Sequence, residues 1–155
     1  MIAAGWGRIP VRSHGSLIRK AMHTMENDAA RGGVRWLLRA EGLCVLGIGL
    51  LVYAEHGAGW PFFAVGFLLP DLTLLGYLAG PRVGAWLYNS AHSYVGAMLC
   101  LAAGVWSAAP WVIAAGWIWV CHIGFDRMLG YGLKYGQGFR YTHLGKIGRD
   151  APSRP

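Results

Sequence analysis

The chain has 155 residues, of which 55% are hydrophobic and only 14% are charged, whereas soluble domains carry about 25% charged residues. This composition predicts a small membrane protein with one domain and excludes a soluble domain, because its long apolar stretches could not remain in water. The net charge of +7 is concentrated in the termini and one loop. It therefore does not indicate a nucleic-acid-binding module.

Four apolar stretches follow one another along the chain, each close to the ~20 residues that cross a bilayer as a helix. They cover residues 36–54, 60–78, 83–103 and 111–129. The sequence therefore predicts an all-α polytopic membrane protein, a four-transmembrane-helix bundle. We expect residues 35–147 to form this domain, with a basic, partly disordered tail at 1–34 and a disordered tail at 148–155.

Lysine and arginine alternate between the two ends of the predicted spans. Basic residues precede the first span and follow the last, and Arg82 lies between the second and third, whereas the loops 55–59 and 104–110 contain neither Lys nor Arg. Cytoplasmic loops carry the excess of Lys and Arg in membrane proteins. We therefore expect both termini and the Arg82 loop to lie in the cytoplasm, where the basic flanks contact membrane lipids.

Two local features carry further predictions. Pro70 directly precedes Asp71 in the second span, and proline removes a backbone hydrogen bond, so we expect a break that turns Asp71 inward. After the last span, four glycines in nine residues disfavour a helix and predict a folded Gly- and Tyr-rich cytoplasmic segment at the mouth of the bundle. In that segment we interpret Lys134 as a lipid-facing charge and His143 as a surface residue.

Polar groups occur in all four spans, and all of them lie in the half that faces the cytoplasm. At ~1.5 Å per residue they lie roughly 6–15 Å from the cytoplasmic ends of the helices. Ionisable groups inside a membrane are costly and mark a functional site by default. The candidate site residues are Glu41, Asp71, Asn89, His92, His122 and Asp126.

The spacing of these residues favours a common site. Asn89 and His92 are three residues apart, and His122 and Asp126 are four apart, so each pair shares one helix face. His92, His122, Asp71 and Asp126 suit a divalent metal such as zinc or iron. Without a metal, the same carboxylates, joined by Glu41, could exchange protons with the histidines as general acids and bases.

Several strings resemble the domain-of-unknown-function 4260 family of small bacterial integral membrane proteins. They are the residues 70–77, 80–84, 88–94 and 122–135, followed by Phe139 and residues 142–145. The resemblance extends from about Trp36 to Ile147. It implies a location in the bacterial inner (cytoplasmic) membrane as a multi-pass protein, and it implies no particular chemistry.

Three functions are compatible with this sequence. The first is a membrane-embedded enzyme acting on a lipid-like or isoprenoid substrate from the cytoplasmic leaflet, by metal-assisted hydrolysis or by acid/base chemistry. The second is a proton- or ion-coupled transporter, which would need a homo-oligomer because four helices are few for a pathway. The third is a non-catalytic scaffold in which the polar layer only holds the helices together.

Overall fold

The structure is a computed structural model, which describes residues 29–148 together with Gly15. Most of the expected disorder in the two tails falls outside these residues and stays a prediction. The described chain is mostly helical. Its helices are α1 (Gly32–His56), α2 (Trp60–Leu68), a 3-10 helix η1 (Pro70–Ala79), α3 (Pro81–His92), α4 (Tyr94–Trp106) and α5 (Pro110–Leu129).

Three segments of the described chain are helices long and apolar enough to cross a membrane. These are α1, the continuous run of α2 and η1, and α5. The first begins at Gly32, four residues before the predicted span, and its 25 residues extend over about 37 Å. These lengths and compositions indicate a membrane protein.

Helix α5 occupies the centre of the packing, in contact with α1, α2 and α4, while η1 packs against α3. Glycines allow the closest approach, between α1 and α5. A Cβ atom placed on Gly42 would lie 2.6 Å from the Cβ of Arg127, and one on Gly124 would lie 2.9 Å from the backbone nitrogen of Leu46. The two backbones are therefore in direct contact, as in other membrane helix pairs with small residues at the interface.

The break predicted at Pro70 is present, since α2 ends at Leu68 and the chain continues as η1. Proline has no N–H to donate, and the neighbouring residues instead make short-range bonds, from Leu69 N to Gly66 O and from Leu72 N to Leu69 O. A 3-10 helix of 10 residues is unusually long, because such helices seldom exceed 3–4 residues. This tighter winding sets the direction in which Asp71 projects.

The third predicted span is not one helix, which corrects the expectation for residues 83–103. Helix α3 ends at His92 and α4 begins at Tyr94, because Ser93 is extended, with φ −96° and ψ 146°. A break inside a membrane exposes carbonyl groups that must find donors. Here the Trp119 indole donates to Ala91 O and the Arg127 guanidinium donates to His92 O.

The segment after α5 packs against α3, since the Asn89 side chain bonds to the backbone of Lys134. Gly130 ends α5 in the left-handed conformation, with φ 93°. Two short antiparallel strands follow, β1 (Tyr141–Thr142) and β2 (Gly145–Lys146), and Leu144 between them is completely buried.

Candidate functional site

Three side chains from three different elements meet beside the two helix breaks. Asp71 comes from the start of η1, His92 from the end of α3, and His122 from the middle of α5. His92 Nε2 lies 3.0 Å from His122 Nε2 and 3.6 Å from Asp71 Oδ1, and His122 Nε2 lies 3.7 Å from the same oxygen. The two imidazoles are almost fully buried, whereas the Asp71 side chain remains 45% exposed.

The hydrogen bonds determine which ring nitrogens can act as ligands. His92 Nδ1 lies 2.9 Å from the Tyr88 carbonyl, which only accepts, so this nitrogen carries the proton in the neutral ring. His92 Nε2 then has a free lone pair, to which His122 Nε2 donates in the metal-free arrangement. The two rings thus direct their Nε2 atoms at one point.

His122 is held mainly by apolar contacts. Its ring packs edge-on against Phe67, with the ring centres 5.1 Å apart, and its buried Nδ1 has no hydrogen-bond partner among the described residues. A buried nitrogen without a partner costs less as a bare lone pair than as an N–H group. The proton of neutral His122 is therefore on Nε2, and Nδ1 carries the lone pair. A ligand that took up the Nε2 lone pair would move this proton to Nδ1.

Asp126 lies at the edge of this cluster. Its Oδ2 is 3.6 Å from His92 Nε2 and accepts a hydrogen bond of 2.8 Å from the Tyr88 hydroxyl. The Tyr88 ring is stacked on His92, with centres 3.7 Å apart. Asp126 is therefore oriented by Tyr88 and can accept a proton from a group bound at the histidines.

The geometry suits a metal ion held by three protein ligands. The ligand atoms of Asp71, His92 and His122 converge as a possible metal-binding group. Ligands at about 2.0–2.1 Å from a tetrahedral zinc ion lie about 3.3 Å from one another, close to the separations found here. Three ligands leave a fourth position open, which is the pattern of catalytic rather than structural zinc sites.

Two predicted site residues lie elsewhere. Glu41 is exposed on α1 and is not brought into the cluster, because its face of α1 is not the one that packs on α5. Asn89 shares the helix of His92, but its amide binds the backbone of Lys134 twice. Nδ2 donates to Lys134 O at 2.8 Å, and Oδ1 accepts from Lys134 N at 2.7 Å.

The prediction that Lys134 is a lipid-facing charge is wrong. The residue is only 3% exposed. Its ammonium lies 3.9 Å from the ring centre of Phe139, 4.8 Å from that of Tyr88 and 5.7 Å from that of Tyr131. Such cation–π contacts stabilise a buried charge. Tyr131 and Phe139 lie within five residues of Lys134 in the sequence, but Tyr88 comes from α3, so the sequence does not show that the rings enclose the charge.

His143 is half-buried rather than a free surface residue. Its Nδ1 accepts a hydrogen bond from Leu133 N at 2.8 Å, which requires a neutral ring. Burial lowers the pKa of His143, and the nearby Arg127 lowers it further. His143 thus helps to fasten the segment that carries Lys134.

Replacement of Asn89 by alanine is expected to loosen this segment, because two buried backbone groups of Lys134 would lose their partners. An unsatisfied buried group costs about 1–3 kcal/mol. Hydrogen exchange in residues 131–147 should accelerate, as measured by mass spectrometry. Ser90→Ala removes an exposed hydroxyl from the same helix and should leave that exchange unchanged. Equal protection in both variants would show that Asn89 does not fasten the segment.

Comparison with known proteins identifies the family. Residues 35–147 match the family described as domain of unknown function (DUF4260). The chain belongs to this family. No curated protein and no solved structure matches it. The match covers every residue of the His/Asp cluster and ends just after β2.

Proposed function

We propose that this protein is a membrane-embedded enzyme that holds a divalent metal at Asp71, His92 and His122 and hydrolyses a lipid-like or isoprenoid substrate. The observation that supports this proposal is the convergence of two imidazole nitrogens and one carboxylate oxygen within 3.7 Å of each other. Zinc and iron both accept this donor set. When bound, such an ion activates water or polarises the bond to be cleaved.

The residues around the ligands have separate parts in this proposal. Asp126 accepts the proton of the attacking water, and Tyr88 keeps its carboxylate oriented through their 2.8 Å hydrogen bond. Arg127 satisfies the carbonyl of His92 and so keeps the end of α3 in place. The partial exposure of Asp71 provides access for a substrate.

The membrane arrangement forms part of the same proposal. Helices α3 and α4, of 12 and 13 residues, would together form one more crossing, the third along the chain, broken at Ser93. Both termini would then face the cytoplasm of a bacterial inner membrane, as the positive charges require. Interrupted helices whose breaks meet at a polar site are a recurrent way to form binding sites inside membranes.

Metal analysis of the purified protein tests the proposal. After detergent extraction and exposure to zinc or ferrous iron, about one ion per chain should remain bound. His92→Ala should abolish this binding, because a three-ligand site cannot lose one ligand and retain its affinity. His56→Ala is the matched control, since His56 is exposed at the far end of α1 and should bind the ion like the parent.

Substitutions at Asp71 separate the three candidate functions. Asp71→Ala should change the cellular lipid profile if the protein is an enzyme. Absence of metal together with an unchanged lipid profile would overturn the proposal. If vesicles containing the protein instead showed a proton or ion flux that Asp71→Asn abolishes, the protein would be a carrier. If only thermal stability changed, it would be a scaffold.

A further inference from the structure

A second feature adjoins the His/Asp cluster, namely an apolar cavity of about 370 Å³ between α2, α4 and α5. Its lining includes the exposed side chains of Phe62, Val65 and Leu69 on one side. The cavity is therefore open to the lipid-facing surface of the protein. We refer to it as the lateral groove.

One end of the lateral groove lies beside the cluster. Pro70 and Ala91 belong to its lining, and they directly precede Asp71 and His92 in the chain. Ile118, another lining residue, lies one helical turn before His122. The groove thus extends from the histidines along the outer part of α5, toward the end of the helix that begins at Pro110.

The lateral groove offers an occupant no free hydrogen-bond donor from a side chain. Thr73 Oγ1 donates to Pro70 O at 2.6 Å, and the Trp119 indole donates to Ala91 O at 2.5 Å. The thiol of Cys100 is directed at Val112 O. Every polar side chain in the lining already donates within the protein, so a polar ligand would find few partners to replace its hydration.

We infer that the lateral groove holds the hydrocarbon chain of the substrate, with the bond to be cleaved at the His/Asp cluster. A volume of about 370 Å³ lies within the range of cavities that hold small ligands, about 300–1,000 Å³, and is sufficient for an alkyl chain. A lipid of the inner leaflet would have its chain directed away from the cytoplasm, as the groove is. The position of the reacting bond rests on the proposed function, whereas the binding of the chain does not.

Photo-crosslinking tests the occupant. The probe is a dodecanol-length alcohol with a diazirine at its far end, added to the full-length protein in phosphatidylcholine nanodiscs. Cross-links should concentrate on the peptides of α2 and α5 that line the groove, and unlabelled dodecanol should reduce them. Octanol should compete less well, because it buries fewer methylene groups in the groove.

A pair of variants with the same added ring provides the control. Ala115→Phe places the ring in the lining, and overpacking of a filled space should reduce cross-linking there by about fivefold or more. Val105→Phe adds the ring on α4 at an exposed position, 69% accessible and outside the lining, and should change nothing. Cross-links spread evenly over all lipid-facing helices, or equal in both variants, would overturn the inference.

The outcomes for the two proposals are distinguishable. His92→Ala should lose the metal and keep the cross-links in the groove, whereas Ala115→Phe should keep the metal and lose them. A protein that binds the chain but no metal would contradict only the proposed function. If unlabelled dodecanol does not reduce the cross-links in the phosphatidylcholine nanodiscs, the groove has no preference for this chain over ordinary bilayer lipid and the inference fails.

Discussion

Substitution of Gly42 by alanine is expected to lower the free energy of unfolding by about 3 kcal/mol, the upper end of the usual cost of overpacking. The added methyl group would lie 2.7 Å from the backbone nitrogen of Met128 and 2.9 Å from the carbonyl oxygen of Gly124. Backbone atoms cannot rotate away as side chains can. The contact can be relieved only if α1 and α5 move apart.

This separation would also affect the site. Arg127, which donates to the His92 carbonyl, has its Cβ 2.6 Å from the position of the new methyl group. We therefore expect Gly42→Ala to weaken metal binding as well as stability. Thermal unfolding in detergent, followed by the intrinsic tryptophan fluorescence, measures the first effect, and metal titration measures the second.

Gly47→Ala is the matched control for this prediction. Gly47 lies on the same helix, and a Cβ atom there would have nothing within 4 Å. Alanine favours helix over glycine by up to about 1 kcal/mol, so this variant should be as stable as the parent or slightly more so. Equal stability of the two variants would show that α1 and α5 do not pack as closely as described.

Replacement of Lys134 by methionine is expected to stabilise the protein at pH 7 by about 1–2 kcal/mol. Burial lowers the pKa of Lys134 from 10.5 to about 8, with Asp126 opposing this shift and Arg127 adding to it. A shift of this size corresponds to at most about 3 kcal/mol. The cation–π contacts of the three rings offset part of that cost.

The sign of the pH dependence follows from proton binding. Between the folded pKa of about 8 and the unfolded pKa of 10.5, the folded protein binds fewer protons than the unfolded chain, so its stability rises with pH. Below about pH 8 Lys134 is charged in both states, and the full cost of burying the charge lowers the stability of the folded protein. Above pH 10.5 Lys134 is neutral in both states, and this cost disappears. The advantage of Lys134→Met should therefore be constant up to about pH 8 and decline above it.

Chemical unfolding of both proteins between pH 6 and pH 11 measures this difference. Lys146→Met is the control for the loss of one lysine, because Lys146 lies on β2, is only half-buried and is outside the cage around Lys134. A Lys134→Met protein that is less stable than the parent at pH 7 would mean that the aromatic cage outweighs the cost of burial. Lys134 would then be a stabilising element of the segment.

The sequence alone was sufficient to predict three helices long and apolar enough to cross a membrane and the four polar residues that the fold brings together. Each charged residue raises the free energy of inserting a helix into the hydrocarbon core, whatever its neighbours are. A long stretch without charges can therefore be recognised directly in the sequence. The free-energy cost of burying ionisable groups also explains why Asp71, His92, His122 and Asp126 converge. Groups that pair with one another are less costly to bury than isolated ones. Pro70 likewise marks its own break, because the missing N–H is a property of that residue.

Only the tertiary structure shows the features that depend on contacts between residues far apart in the chain. Nothing near Ser93 in the sequence marks the break between α3 and α4, because the donors that make it tolerable, Trp119 and Arg127, come from α5. Glu41 is excluded from the site because the glycines of α1 determine which face of that helix meets α5. Lys134 is buried because rings from α3 and from its own segment surround it, and such an enclosure exists only once the chain has folded.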